Sequence, residues 1–200
     1  MGGFQTIVAD PPWQYAGGGP KAYAPDGNFE GTLSPSSGVD SAERYGSMTL
    51  PEINALRPPA TDNAHLYLWT TNAFMVEAHE VARAWGFEPK TILTWGKVKR
   101  DGTPSMKMGY YFRGATEHVV FAVRGSLRLR AGRALPTLLL WPRIPGHSVK
   151  PDAFYDLVEE ASPGPYLELF ARRERIGWDS WGDQSLGTIE LSLPDSPRAA

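Results

Sequence analysis

Two hundred residues, 42% of them hydrophobic, suit one domain with a sizeable buried core, and a net charge of −2 argues against a protein that coats nucleic acid by bulk charge. There is no cysteine, which excludes disulfides and thiolate zinc sites, and four scattered histidines argue against a structural metal, so none is expected. No apolar run approaches the ~20 residues of a membrane span, and Met1-Gly2-Gly3-Phe4 lacks the regions of a secretory signal, so a cytoplasmic protein is expected.

Strands and helices alternate along the chain. Gln5 to Ala9 reads as a buried strand. Residues 15–44 are rich in Gly, Pro and Ser, and a loop that long suggests a lid. Thr49-Leu50-Pro51-Glu52 has the pattern of a capping box, with Pro early in a helix running to about Leu56. His65 to Trp69 is an apolar strand. A helix is expected from about Ala73, with Phe74, Ala78, Val81 and Trp85 on one face and Gly86 as its stop. Strands follow over Phe87 to Trp95, His118 to Val123 and Thr137 to Trp141, with a second long loop from Lys97 to Gly114. Pro151 to Glu160 reads as a helix with Phe154, Leu157, Val158 and Ala161 inward, and Tyr166 to Phe170 as the last strand. Residues 1–185 form the domain, and 186–200 read as a tail of little structure. This alternation predicts an α/β fold, a mostly parallel sheet with helices on both faces.

Charge is unevenly spread. From Lys97 to Arg133 there are nine basic residues, Arg113, Arg128 and Arg130 among them, against only Asp101 and Glu117. A basic sector on a near-neutral chain suits a phosphate track. The aromatic residues in Gly109-Tyr110-Tyr111-Phe112-Arg113 suit stacking on unpaired bases.

The chemistry concentrates in Asp10-Pro11-Pro12-Trp13, directly after the first strand. Ligands bind at the carboxyl ends of strands in such sheets. Asp10 supplies carboxylate acceptors, the prolines remove N–H groups so that carbonyls dominate, and Trp13 supplies a flat aromatic face. A flipped adenine presents two amino N–H donors and a π-face. Asp10 and the Pro11 carbonyl would take the donors while Trp13 stacks on the ring. Such hydrogen bonds localise the amino lone pair for attack on a methyl sulfonium, so positioning and electrostatics carry the rate.

The residues resemble a known family in order. Ile7-Val8-Ala9-Asp10-Pro11-Pro12-Trp13, Tyr45-Gly46-Ser47-Met48-Thr49, Leu66-Tyr67-Leu68-Trp69-Thr70 and Thr94-Trp95-Gly96-Lys97 come first. Glu117-His118, His147-Ser148-Val149-Lys150-Pro151, Glu168-Leu169-Phe170-Ala171-Arg172 and Trp181-Gly182-Asp183-Gln184 complete the series. Together they are similar to the family of the catalytic subunit of the eukaryotic mRNA N6-adenosine methyltransferase and its bacterial and phage DNA adenine relatives. The resemblance implies a Rossmann-like methyltransferase fold in circularly permuted order, since no GxGxxG follows the first strand. It implies S-adenosylmethionine as cofactor, with Asp10, Pro12, His147, Lys150, Glu168, Phe170, Arg172, Asp183 and Gln184 on cofactor-binding positions. Asp10, Pro11, Pro12 and Trp13 fall on catalytic positions. Trp13, Tyr15, Tyr45, Trp69, Lys97, Arg113 and Glu117 fall on substrate-binding ones.

The expected activity is N6-adenine methylation of nucleic acid, DNA before RNA. The alternatives are RNA N6-adenosine methylation, methylation of cytosine N4, and a catalytically silent nucleic-acid-binding partner subunit. A homodimer or a partner subunit would supply further contacts to the substrate.

Overall fold

The computed structural model describes residues 3–14, 48–106, 112–144, 149–182 and 187–191. The elements run β1 (Phe4–Ala9), α1 (Leu50–Ala55), β2 (Ala60–Thr70), α2 (Met75–Ala84), β3 (Glu88–Val98), β4 (Thr116–Arg124), β5 (Leu138–Pro142), α3 (Asp152–Ala161), β6 (Tyr166–Leu169) and β7 (Trp178–Trp181). The strands form one sheet of seven in the order β5-β3-β4-β2-β1-β6-β7. Only β4 runs antiparallel, against both β2 and β3; the other four pairings are parallel. The mostly parallel sheet expected from the alternation is present.

Period-two alternation assigns each strand residue to a face. Ile7, Ala9, Leu66, Leu68, Val120, Ala122, Leu167 and Leu169 meet Ile53 and Leu56 from the α1 segment and Ala78, Val81 and Trp85 from the α2 segment. The Trp85 indole also donates to the Ile53 carbonyl at 2.9 Å, tying the two helical segments together. Val8, Tyr67, Trp69, Trp95, Val119 and Phe121 meet Phe154, Tyr155 and Val158 of α3 on the other face. Burying each such side chain contributes roughly 1.5–3 kcal/mol.

The capping box is formed: the Thr49 hydroxyl accepts from the Glu52 N–H while Glu52 reaches back to the Thr49 N–H. Several boundaries differ from the sequence reading. A single 3-10 turn over Asn72–Phe74 precedes α2, and Phe74 stacks on Trp13 rather than entering the core. On α3 the fully buried positions include Tyr155, with Leu157 only half-buried. The third strand continues through Lys97 and Val98, so the second loop starts later than expected. Phe170 lies past β6 with φ at +62°, because the chain turns there and leaves the ladder. The strand β7 was not foreseen; its four residues carry too little pattern next to the charged run before it. Within the expected tail, Thr188 donates its N–H to the Ser180 carbonyl at 2.9 Å, and Ile189 and Leu191 pack on the first core. The expected lid and residues 192–200 lie outside the described residues. Among the described residues, no helix is long and apolar enough to cross a membrane.

Candidate active site

Asp10 ends β1 because Pro11 and Pro12 offer no N–H to continue a ladder. Its own N–H donates to the Leu169 carbonyl at 3.4 Å. The turn closes when the Trp13 N–H donates to the Pro11 carbonyl at 2.8 Å, and the Met48 N–H donates to the Pro12 carbonyl at 3.1 Å. The Pro11 carbonyl thus holds one bond and keeps a second lone pair. Trp13 is half-buried, with its ring stacked on Phe74 at 5.5 Å and 12° and its indole N–H donating to the Trp69 carbonyl at 3.2 Å.

Asp10 shares the parity of Val8 and so points to the α3 face. The same rule sends Trp69, Trp95, Lys97, Glu117 and Glu168 to that face. All but Glu168 stand near one edge of the sheet, since β4 runs antiparallel and begins where its neighbours end. There they form a ladder of alternating charge. Lys150, just before α3, sits 3.0 Å from Asp10 Oδ2 and 3.0 Å from Glu117 Oε2. The second Glu117 oxygen accepts from Lys97. Each ammonium also lies over an indole: Lys150 at 4.7 Å from the Trp69 ring, Lys97 at 4.6 Å from Trp95. The two indoles meet edge to face at 6.1 Å.

The electrostatics follow from this order. Burial by itself raises the Glu117 carboxyl, but Lys150 and Lys97 together outweigh it and hold the group down at about 2. Burial likewise opposes the Lys150 charge, and Asp10 with Glu117 overcomes it, so that ammonium is held above its ordinary range. The Asp10, Lys150 and Glu117 side chains retain 20%, 10% and 17% of their exposure, which places the ladder at the surface of the core rather than inside it.

Glu168, in the middle of β6, is buried and accepts from the Tyr155 hydroxyl at 2.6 Å. Burial raises its carboxyl, and burial followed by the Glu168 charge raises the Tyr155 phenol. Arg173 and Arg175 both reach Asp152 at the start of α3 and both lie over the Tyr155 ring. Neither Tyr155 nor this arginine pair was singled out from sequence. The signal for Tyr155 is its place beside Phe154 on a short amphipathic helix; the two arginines sit in the charged run Arg172-Arg173-Glu174-Arg175. Phe170 and Arg172 are half-buried in the turn after β6, where Gly182 passes so close that a Cβ would lie 2.4 Å from Ala171 backbone atoms. Tyr15, Tyr45, His147, Asp183 and Gln184 lie outside the described residues.

The Trp69 ring is 1% exposed, packed against Trp95 and Phe154, and forms a floor under Lys150. The basic sector is solvent-facing in part: Lys99, Arg100, Arg113, Arg128, Arg130 and Arg133 are exposed. Lys97 is buried in the ladder, and Arg124 stacks on Phe87 while donating to the Trp85, Gly86 and Ala60 carbonyls. Arg133 pairs with Glu160, and Arg130 donates to the Glu159 carbonyl. Arg113 is exposed on the approach to β4. Among the described residues, no group of three His, Cys, Asp or Glu could hold a metal ion.

Comparison with known proteins follows the same ground. The type II methyltransferase M.MunI of Mycoplasma sp is 30% identical over 96% of this chain and 79% of its own length. The N(6)-adenosine-methyltransferase catalytic subunit METTL3 of Homo sapiens is 27% identical over 98% of this chain, which spans about 30% of that protein. The MT-A70-like N(6)-adenosine-methyltransferase of Drosophila melanogaster is 27% identical over 98% of the chain and 29% of its own length. The MT-A70 family model matches residues 4–184, from the first residue of β1 to just beyond Gly182, and this chain belongs to the MT-A70 family.

Proposed function

We propose that this protein is an S-adenosylmethionine-dependent N6-adenine methyltransferase acting on DNA. The observation that carries the reading is Asp10, fixed by Lys150 at the carboxyl ends of the strands, with the Trp13 ring, three residues further on, held on Phe74. Likeness to a type II methyltransferase over 79% of that protein favours DNA. Likeness to METTL3, named for adenosine methylation, supports the second reading, RNA.

The donor set suits the cofactor. It offers the cations of Lys150 and Arg172, the carboxylates of Asp10 and Glu168, and the Phe170 ring, against a ligand with a carboxylate, an ammonium, ribose hydroxyls and an adenine. Those residues, with Pro12, His147, Asp183 and Gln184, would hold it. S-adenosylmethionine supplies a methyl group on a positively charged sulfur.

The chain's own residues do the rest. The Asp10 carboxylate and the Pro11 carbonyl accept the two N6 hydrogens of the target adenine, and the Trp13 face left by Phe74 stacks on its ring. These two hydrogen bonds would localise the N6 lone pair toward the methyl group that the cofactor would supply, and the surplus N6 proton would leave to water. Lys150 orients Asp10, Glu117 keeps Lys150 in place, and Lys97 balances Glu117. Little more than placement and fixed charge is needed.

Incubation with labelled cofactor and panels of single-stranded and duplex DNA and RNA, followed by nucleoside mass spectrometry, tests the reading. N6-methyldeoxyadenosine is the expected product, and D10A is expected to abolish it while still binding cofactor. Methyl transfer that persists in D10A would overturn the assignment of Asp10, and product found only in RNA would overturn the choice of DNA.

A further inference from the structure

The β3–β4 connection carries the next inference, which rests on the DNA reading above. Its two stems are rigid. Ser105 N–H donates to the Lys97 carbonyl at 2.7 Å, Lys97 N–H donates to the Ala115 carbonyl at 2.8 Å, and Val98 bridges Pro104. Between them Lys99 to Thr103 forms a closed turn, with Gly102 at φ +80° and the Asp101 carboxylate bonded back to Thr103. Asp101 is the only acid in the described part of this connection, and its Oδ1 accepts from both the N–H and the hydroxyl of Thr103; Lys99, Arg100 and Arg113 are exposed cations.

Phe112, next to Arg113 in the chain, is 92% exposed, and Met106 is 56% exposed. An aromatic ring left almost wholly in water contributes nothing to the core. The stems on either side are Lys97 and Glu117, two rungs of the ladder that holds Lys150 on Asp10. The connection therefore rises from the edge of the sheet where the target base must arrive.

A base turned out of a duplex leaves a gap in the stack, and apolar side chains inserted at base steps fill such gaps while neighbouring cations neutralise phosphates. We propose that Phe112, with Arg113 next to it and the Lys99-Arg100 turn on the other stem, is the wedge that enters a DNA duplex and takes the place of the target adenine when that base turns toward Asp10.

The test compares F112A with wild type on two duplexes, one fully matched and one with the target adenine opposite an abasic site. On the matched duplex F112A is expected to lose about 10- to 100-fold in methyl transfer, the worth of one stacked ring. Opposite the abasic site the loss is expected to shrink to about threefold or less, since the base is already unpaired. In parallel, 2-aminopurine at the target position brightens on binding wild type and stays dark with F112A. Equal losses on both duplexes, no loss on either, or equal brightening by both proteins overturns the wedge. Wild type that brightens 2-aminopurine without methylating either duplex overturns the methyltransferase reading alone, and wild type that does neither overturns both.

Discussion

Helix α3 has a buried polar cluster at each end, and the two are built differently. Before its first turn, Lys150 joins Asp10, Glu117 and Lys97 in a run of full charges. After its last turn, Ser162 joins a set of neutral groups. Its hydroxyl lies 2.7 Å from His65 Nδ1 and 2.7 Å from the Tyr67 hydroxyl, and its carbonyl accepts from Tyr166 at 2.9 Å. The second His65 nitrogen faces the Leu127 carbonyl at 3.1 Å. A carbonyl only accepts, so His65 Nε2 donates, Nδ1 accepts from Ser162, and Tyr67 donates to Ser162. Burial keeps this end uncharged: it lowers the His65 imidazole and raises the Tyr67 phenol to about 12. Buried ion pairs are poor investments in stability, whereas satisfied neutral networks fix a fold at little cost. The neutral end staples α3 to the sheet; the charged end fixes the Asp10 carboxylate on Lys150.

The largest expected contrast comes from cutting each cluster at its hub. K150M leaves Asp10 without its cation and Glu117 with Lys97 alone, and is expected to lose about 3–5 kcal/mol in urea unfolding together with methyl transfer. S162A leaves His65 and Tyr67 each short of a partner, and is expected to lose about 1–3 kcal/mol with unchanged transfer per folded molecule. A kcat for S162A as low as that of K150M would erase the distinction between the two ends.

The ends should also separate by pH. Glu117 is depressed from an ordinary 4.5 to about 2, so its stabilisation is complete above about 4.5 and is lost as pH falls toward 2. His65 is depressed from 6.5, so its contribution is complete above that value and is lost as pH falls through its lowered one. Lys150 is raised, so its share is complete below 10.5 and is lost only as pH climbs past its elevated value. Urea midpoints from pH 2 to 8 are therefore expected to fall less steeply below 4.5 in E117Q than in wild type. A parallel curve for E117Q would break the assignment of that slope to the ladder.

The smallest effect belongs to W13F, which keeps an aromatic face but loses the indole bond to the Trp69 carbonyl. A loss of about 1 kcal/mol is expected, with methyl transfer lowered less than tenfold. A fall in kcat as deep as that of D10A would mean that Trp13 does more than stack.

Much of the layout was legible in the residues. The capping box at Thr49, the stop at Gly86 and the strands at β1, β4 and β6 rest on local signals, which survive because local geometry and the core agree. Asp10 was legible because two prolines after an apolar strand end it in a known way. The surroundings of Trp69 and Lys97 were not legible, for a shared reason. Period two tells which face a residue takes, but not whether another layer covers that face, and here α3 and the turn before it do. Charge along the chain likewise does not reveal that Arg124 curls onto the end of α2 and Phe87.

What sequence alone determined is therefore the alternation, the parity of each strand residue and the chemistry of Asp10 to Trp13, since these depend on neighbours within a few positions. Tertiary structure decided the rest: that β4 reverses, which brings Glu117 beside Asp10, and that Lys150 arrives between them from more than thirty residues away in sequence from Glu117. Coulomb attraction depends on distance in space, and only the closed sheet brings those charges within reach of one another.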